Sequence, residues 1–432
     1  MKEINKLVEL SRGRVANERA ILVGLEQGED WQERMAELKE LAISAGAEVV
    51  GEVRQRREEP DPFYYIGKGK AEELAVLIRE LDADLVIVDA SLNLVQHRNL
   101  ENILQAKVVD RTELILDIFA QRAHTKEGKL QIELAQLTYL LPRLTGRGVF
   151  LSRLGGGIGT RGPGETKLEY DRRRIRDRIN QLRKEIDEVR EQRMRRRLLR
   201  RAENTPIIAL VGYTNVGKST LLNAIAKASV YVDNRPFATL DPTTRRVRLK
   251  GGGVVLFTDT VGFIRDLPPN LIAAFRATLE EVREADILLH VADGSHPKMA
   301  EQIATVNRIL AEVIEVGEKK MVYAINKMDK ANIHEVMAKL PMGISNVCFI
   351  SALQQRGISA LLEKIARILE EELCLVELVI PYDRGDVLSL LYEKGRVLGE
   401  DFLEKGINVL ARVPVDIRDK LSLFATNKGK RT

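Results

Sequence analysis

The segment ALVGYTNVGKST, residues 209–220, constrains this chain more than any other. Gly212, Gly217, Lys218 and Ser219 fit the pattern G-x-x-x-x-G-K-S/T, directly after the apolar run PIIALVG and before LLNAIAKA, a helical pattern. A glycine-rich turn between strand and helix points several backbone N–H groups, with the positive end of the helix dipole, at one place. That place is a cradle for phosphate. Lys218 then reaches the β- and γ-phosphates, and the Ser219 hydroxyl ligates Mg2+. Strand–loop–helix order of this kind also requires an open α/β sheet.

Three more motifs follow, each at or near the end of an apolar strand-like run. LFTDTVGF supplies Asp259, a carboxylate placed near Mg2+ through water, and Gly262, whose N–H can sense a γ-phosphate. VYAINKMD supplies Asn326, Lys327, Met328 and Asp329. Asp329 can accept from guanine N1–H and the exocyclic amine, donors that adenine does not present together, while the Lys327 stem covers the base. CFISAL places Ser351, Ala352 and Leu353 where a backbone N–H meets guanine O6. Open α/β sheets bind ligands at strand ends, so four motifs in this order identify a guanine-nucleotide domain.

The expected nucleotide contacts begin with Gly212, Tyr213, Thr214, Asn215, Val216, Gly217, Lys218, Ser219 and Thr220. They continue with Phe237, Ala238, Thr239, Leu240 and Asp241 in RPFATLDPTTRRV, then Asp259, Thr260, Val261 and Gly262. In the switch segment Thr239 is the favoured Mg2+ ligand, present only with the γ-phosphate; Thr243 and Thr244 stay open as the alternatives. Lys218, Thr239 and Gly262 form the expected catalytic set. Phe263 stands where many GTPases carry a water-orienting glutamine. Intrinsic hydrolysis should therefore be slow and depend on a partner, on Mg2+-linked water or on loop ordering.

The rest of the chain divides by pattern. Strand-like and helix-like runs alternate over 20–110, implying a small parallel α/β sheet in an N-terminal domain of residues 1–112. Gly67 and Gly69, in YYIGKGKAEEL, read as loop-to-helix entry or, less favoured, as a phosphate cradle. Residues 113–203 carry two coiled-coil seams, Leu130, Leu134, Leu137, Leu141 and Ile175, Ile179, Leu182, Ile186, Val189. They predict an antiparallel helical hairpin, ended by Pro142 and Gly146 and resumed after Gly164. Thirty-odd helical residues at about 1.5 Å each carry its tip roughly 45 Å outward. Residues 204–372 form the nucleotide domain, and 373–432 a small α+β unit.

The hairpin tip, about 143–164, contains Gly157, Gly159 and Gly162 at dinucleotide-fingerprint spacing. No buried strand precedes them, so they do not form a second nucleotide cradle. Arg143, Arg147, Arg153 and Arg161 stud this stretch, and no acidic residue occurs from Pro142 until Glu165. A bendable cationic tip suits RNA phosphates and bases. Net charge is +5 overall, yet residues 165–203 alone hold 15 Lys and Arg against 9 Asp and Glu. That local field points to a polyanion or to a solvated helix face. No apolar run of membrane-spanning length occurs, the start lacks a secretory signal, and Cys348 and Cys374 lack metal-ligand spacing. A cytoplasmic monomer is expected.

These residues resemble the HflX family of ribosome-associated GTPases, related to Obg. The likeness runs through GGGIGTRGPGETKLEYDRRRIRDRI, FATLDPTTR and YIGKGKAEEL, outside the generic motifs, and covers essentially the whole chain. It implies Mg2+-dependent GTP hydrolysis, binding to the large ribosomal subunit and its rRNA, and splitting of stalled or stressed ribosomes. The N-terminal region would reach toward the peptidyl transferase centre. Some members also use ATP, which these residues do not predict, and the form of the C-terminal unit varies within the family. The alternative is a regulatory GTPase whose arm binds a protein or membrane-linked partner, its arginines serving solubility.

Overall fold

The computed structural model describes residues 18–144, 167–202, 205–226, 243–249, 253–265, 281–313, 319–371, 373–414, 417, 418, 421 and 424. β1 (Arg19–Glu26), β2 (Glu48–Arg56), β3 (Leu85–Val88) and β4 (Lys107–Asp110) make an all-parallel sheet in the order β2-β1-β3-β4. The first three are the expected strands. β4 is four residues long, too short for a periodicity of its own, and only pairing with β3 defines it.

A parallel sheet must be covered on both faces. Leu38 and Leu41 of α1 (Trp31–Ala45) pack on one face with Leu114 and Phe119 of α4 (Arg111–Arg122). The other face takes Leu74 and Ile78 of α2 (Lys68–Glu80) with Leu100 and Leu104 of α3 (Leu94–Leu104). The boundary drawn at 112 therefore cuts inside a helix of this first domain. Gly67 caps α2 in an extended conformation and its N–H donates to Gln55 Oε1 at 2.7 Å, which is a loop-to-helix entry.

α5 (Lys126–Arg143) and α6 (Lys167–Ala202) form the hairpin arms. Leu130, Leu137 and Leu144 bury against Ile175, Ile179 and Leu182, flanked by Leu134, Leu141, Ile186 and Val189. Arg178 straddles the seam with two bonds to Glu133 at 2.8 and 3.0 Å. Pro142 sits inside the last turn of α5, not beyond it, and the helix closes at Arg143. The glycine-rich tip with Arg147, Arg153 and Arg161 lies outside the described residues.

The nucleotide domain has a six-stranded sheet in the order β10-β9-β8-β5-β7-β6. Its strands are β5 (Ile207–Val211), β6 (Thr243–Arg248), β7 (Val254–Asp259), β8 (Ile287–Asp293), β9 (Lys320–Asn326) and β10 (Val347–Phe349). Only the edge strand β6 runs antiparallel. Among the described residues its helices include α7 (Lys218–Ala226), α8 (Met299–Val313), α9 (Ile333–Lys339) and α10 (Ile358–Glu371). One buried cluster runs from the N-terminal domain into this one, joining Leu38 and Phe119 to Tyr213, Phe263 and Ile264. A C-terminal antiparallel sheet of β11 (Leu373–Ile380), β12 (Arg396–Leu403) and β13 (Gly406–Pro414) packs on α11 (Gly385–Lys394). The expected last helix falls largely outside the described residues, among which no helix is long and apolar enough to cross a membrane.

Candidate functional site

The loop after β5 takes a course that only glycine allows at two points. Gly212 has φ +152°, and a Cβ there would meet the Val291 carbonyl oxygen at 2.2 Å. Gly217 has φ +94°, and a Cβ would lie 2.4 Å from Asn326 Nδ2. The backbone thus winds tightly into the first turn of α7, whose free N–H groups and dipole favour anions. Lys218 opens that helix and is 7% exposed. Its ammonium donates to the carbonyls of Gly212 at 3.1 Å and Tyr213 at 2.8 Å. Burial pulls its pKa down to about 8.

Ser219 Oγ donates to Asp259 Oδ2 at 2.6 Å, so α7 and the end of β7 bring two oxygen donors to one point. Hydroxyl and carboxylate are hard ligands, the set that Mg2+ takes when it also binds phosphate. The residues present fit that ion. Gly262 lies close by: a Cβ on it would sit 2.9 Å from Lys218 Nζ. Phe263 is buried, with its N–H donating to the Gly212 carbonyl at 3.0 Å and its carbonyl accepting from Thr214 N–H at 2.8 Å. The switch sequence is thereby stitched to the phosphate loop on both sides of residue 263. The segment with Phe237, Ala238, Thr239, Leu240 and Asp241 lies outside the described residues. Thr243 starts β6, and Thr244 meets Thr258 across the ladder, hydroxyl to hydroxyl, at 3.1 Å.

At the far end, Asn326 joins three loops. Its Nδ2 donates to the Val216 carbonyl at 2.9 Å and its Oδ1 accepts from Ala352 N–H at 2.9 Å. It thus braces the phosphate loop against the turn at Ala352. Asp329 Oδ1 accepts from Ser351 Oγ at 2.6 Å, and that bond lowers the carboxyl's pKa. The carboxylate is thus oriented by Ser351. Ser351 is also clasped to Arg356 by two backbone bonds of 3.0 Å, which fixes the Ser351–Ala352–Leu353 turn.

Two residues expected to touch nucleotide direct their side chains elsewhere. The Thr260 hydroxyl donates to the Leu210 carbonyl at 2.6 Å, and the Tyr213 hydroxyl donates to Glu37 Oε2 at 2.9 Å in the N-terminal domain. Arg143 also differs from its expected place at a free cationic tip. Its guanidinium bonds the Leu92 carbonyl at 2.9 Å and Asp110 Oδ2 at 3.4 Å, and stacks 3.5 Å from the Tyr139 ring centroid. Asp293 was not singled out by its sequence. It ends β8 and holds Lys327 Nζ at 2.7 Å. A carboxylate at a strand end before Gly-Ser was the available signal.

Three matches to known proteins cover most of the chain. Residues 32–120 match the family described as GTP-binding GTPase N-terminal, 122–200 its middle region, and 207–327 the 50S ribosome-binding GTPase family. The GTPase HflX of Caldanaerobacter subterraneus subsp. tengcongensis is 49% identical over 96% of this chain and 95% of its own. The GTPase HflX of Escherichia coli K12 is 41% identical over 93% and 94%. A solved structure of a GTP-binding protein from Sulfolobus solfataricus, in complex with GDP, aligns over 82% of this chain and 99% of that one. Its TM-score is 0.45 at 24% identity. With an assembled guanine-nucleotide site and near full-length identity of this order, the chain belongs to the HflX family of GTPases.

Proposed function

We propose that this GTPase associates with the large ribosomal subunit and splits or rescues stalled or stressed ribosomes, its helical arm contacting rRNA. The observation that carries the reading is architectural. A cationic, glycine-rich segment is joined by two packed helices to a domain built to sense a γ-phosphate. The match described as 50S ribosome-binding supports the same partner, and a cytoplasmic location follows from it. Beside that segment Tyr170 is exposed, with Arg173 and Arg174 at 5.8 and 5.5 Å from its ring centroid, a surface of the kind that stacks on bases.

In hydrolysis, the loop N–H groups and Lys218 take up charge on the β- and γ-phosphates, where positioning and electrostatics supply most of the rate. Mg2+ would be held by Ser219, by Thr239 and, through water, by Asp259, and it supplies neutralisation of the phosphate oxygens. Gly262 N–H meets the γ-phosphate. Asp329 reads guanine and Lys327 covers it. Phe263 offers the attacking water no polar group, so ordering of that water falls to a partner or to the switch backbone, and the intrinsic rate is slow.

The test is GTP turnover with and without purified large subunits, paired with co-sedimentation in a non-hydrolysable GTP analogue. Stimulation and co-sedimentation are expected. Absence of both overturns the ribosomal reading and leaves the GTPase intact.

A further inference from the structure

The first helix of the N-terminal domain and its N-cap carry three acidic residues, Asp30, Glu33 and Glu37, and each meets the nucleotide domain. Asp30 pairs with Arg265, which also reaches Glu301 at 3.5 Å. Glu33 pairs with Lys298 at 2.9 Å and lies 3.4 Å from His296. Glu37 accepts from the Tyr213 hydroxyl, inside the phosphate loop itself.

Glu37 is the member held most firmly. Arg111 bonds it from behind and reaches Asp89 at 2.7 Å, while Arg34 holds Asp89 at 3.0 Å. The Tyr213 hydroxyl is fixed on its other side as well, because it accepts from Arg265 N–H at 2.9 Å. One oxygen atom therefore links an N-terminal carboxylate to the backbone three residues beyond Gly262. With the two Phe263 bonds, that link pins residues 262–265 along the phosphate loop. Gly262 is thereby kept beside Lys218, where its N–H can meet a γ-phosphate without first paying to order the segment.

We propose that Glu37 is a positioning residue for GTP hydrolysis, acting through the Tyr213 hydroxyl on the Gly262–Arg265 segment. GDP lacks the group that this segment senses, so its affinity does not depend on the link. The coupling is reciprocal in binding: γ-phosphate favours the docked position of α1, and a ligand that displaces α1 weakens γ-phosphate recognition. The path continues through packed helices, since α4 lies on α1 and α5 lies on α4. The hairpin arm thus shares a framework with the phosphate loop.

The experiment uses the full chain, single-turnover GTP hydrolysis, and equilibrium affinities for GDP and a non-hydrolysable GTP analogue. Tyr213→Phe and Glu37→Ala should each slow hydrolysis about tenfold and weaken the GTP analogue, with GDP affinity within twofold of wild type. Glu37→Gln, which keeps an acceptor for the hydroxyl, should recover most of the rate lost in Glu37→Ala. The double variant should be no slower than the slower single one. An unchanged rate in Tyr213→Phe overturns the proposal, as do equal losses for GDP and the GTP analogue, or multiplicative losses in the double variant. Tyr213→Phe removes a single oxygen atom and keeps the test decisive if Glu37→Ala does not fold.

Discussion

Lys327 Nζ lies 2.7 Å from Asp293 Oδ2, while Asp293 Oδ1 accepts from the N–H and hydroxyl of Ser295 at 2.9 and 2.6 Å. Lys327 has φ +60°, an uncommon conformation for a residue with a side chain. The Gly294 N–H bonds the Asn326 carbonyl at 2.8 Å and secures the approach of the two loops. The ion pair thus fixes the lysine whose stem is assigned to the base. Asp293→Asn should weaken GDP binding by about tenfold, the order of a charge-assisted hydrogen bond. Titration calorimetry reads it, and in a Lys327→Met background the same change should have little further effect.

Base selection is assigned to Asp329, whose carboxylate Ser351 orients. Asp329→Asn turns a carboxylate acceptor into an amide that can donate, so preference should move from guanine toward xanthine nucleotides. Competition of GDP against XDP measures it. Unchanged preference would refute the assignment of Asp329 to the base.

Proton linkage follows from Lys218. Its buried ammonium has a pKa pulled down to about 8, whereas bound phosphates favour the charged form. Nucleotide binding should therefore take up a proton as pH rises through about 8, with no uptake near pH 7 and below, where the lysine is charged in both states. Calorimetry in buffers of different ionisation enthalpy detects this. The free protein should also gain stability between about pH 8 and the ordinary lysine range, because there the unfolded chain still holds the proton that the fold has lost.

Arginines along the arm should separate by role. Arg153→Ala with Arg161→Ala should spare GTP affinity and reduce stimulation by large subunits, with a shallower salt dependence. Arg143→Ala should instead cost about 3 kcal/mol of stability, read as a lower melting temperature, since it strips a partly buried cation from the fully buried Asp110. Equal loss of GTP affinity in the tip variants would make the tip a support for the nucleotide domain.

Much of this protein was legible from residue order alone. Phosphate-loop chemistry depends on Gly212, Gly217, Lys218 and Ser219 being neighbours in the chain, and the hairpin seam depends on a repeat every few residues. Both are local patterns, so the sequence determined the α/β nucleotide domain, its position and the paired helices. Tertiary structure decided what local pattern does not encode. β4 exists because β3 lies beside it. Arg143 turns back onto Asp110, 33 residues away, although its place in the chain puts it at the start of the cationic stretch. Tyr213 reads as one more loop residue until the fold brings it to Glu37, 176 positions distant. Contacts of that separation are set by how the domains pack, and packing leaves no periodic trace along the chain.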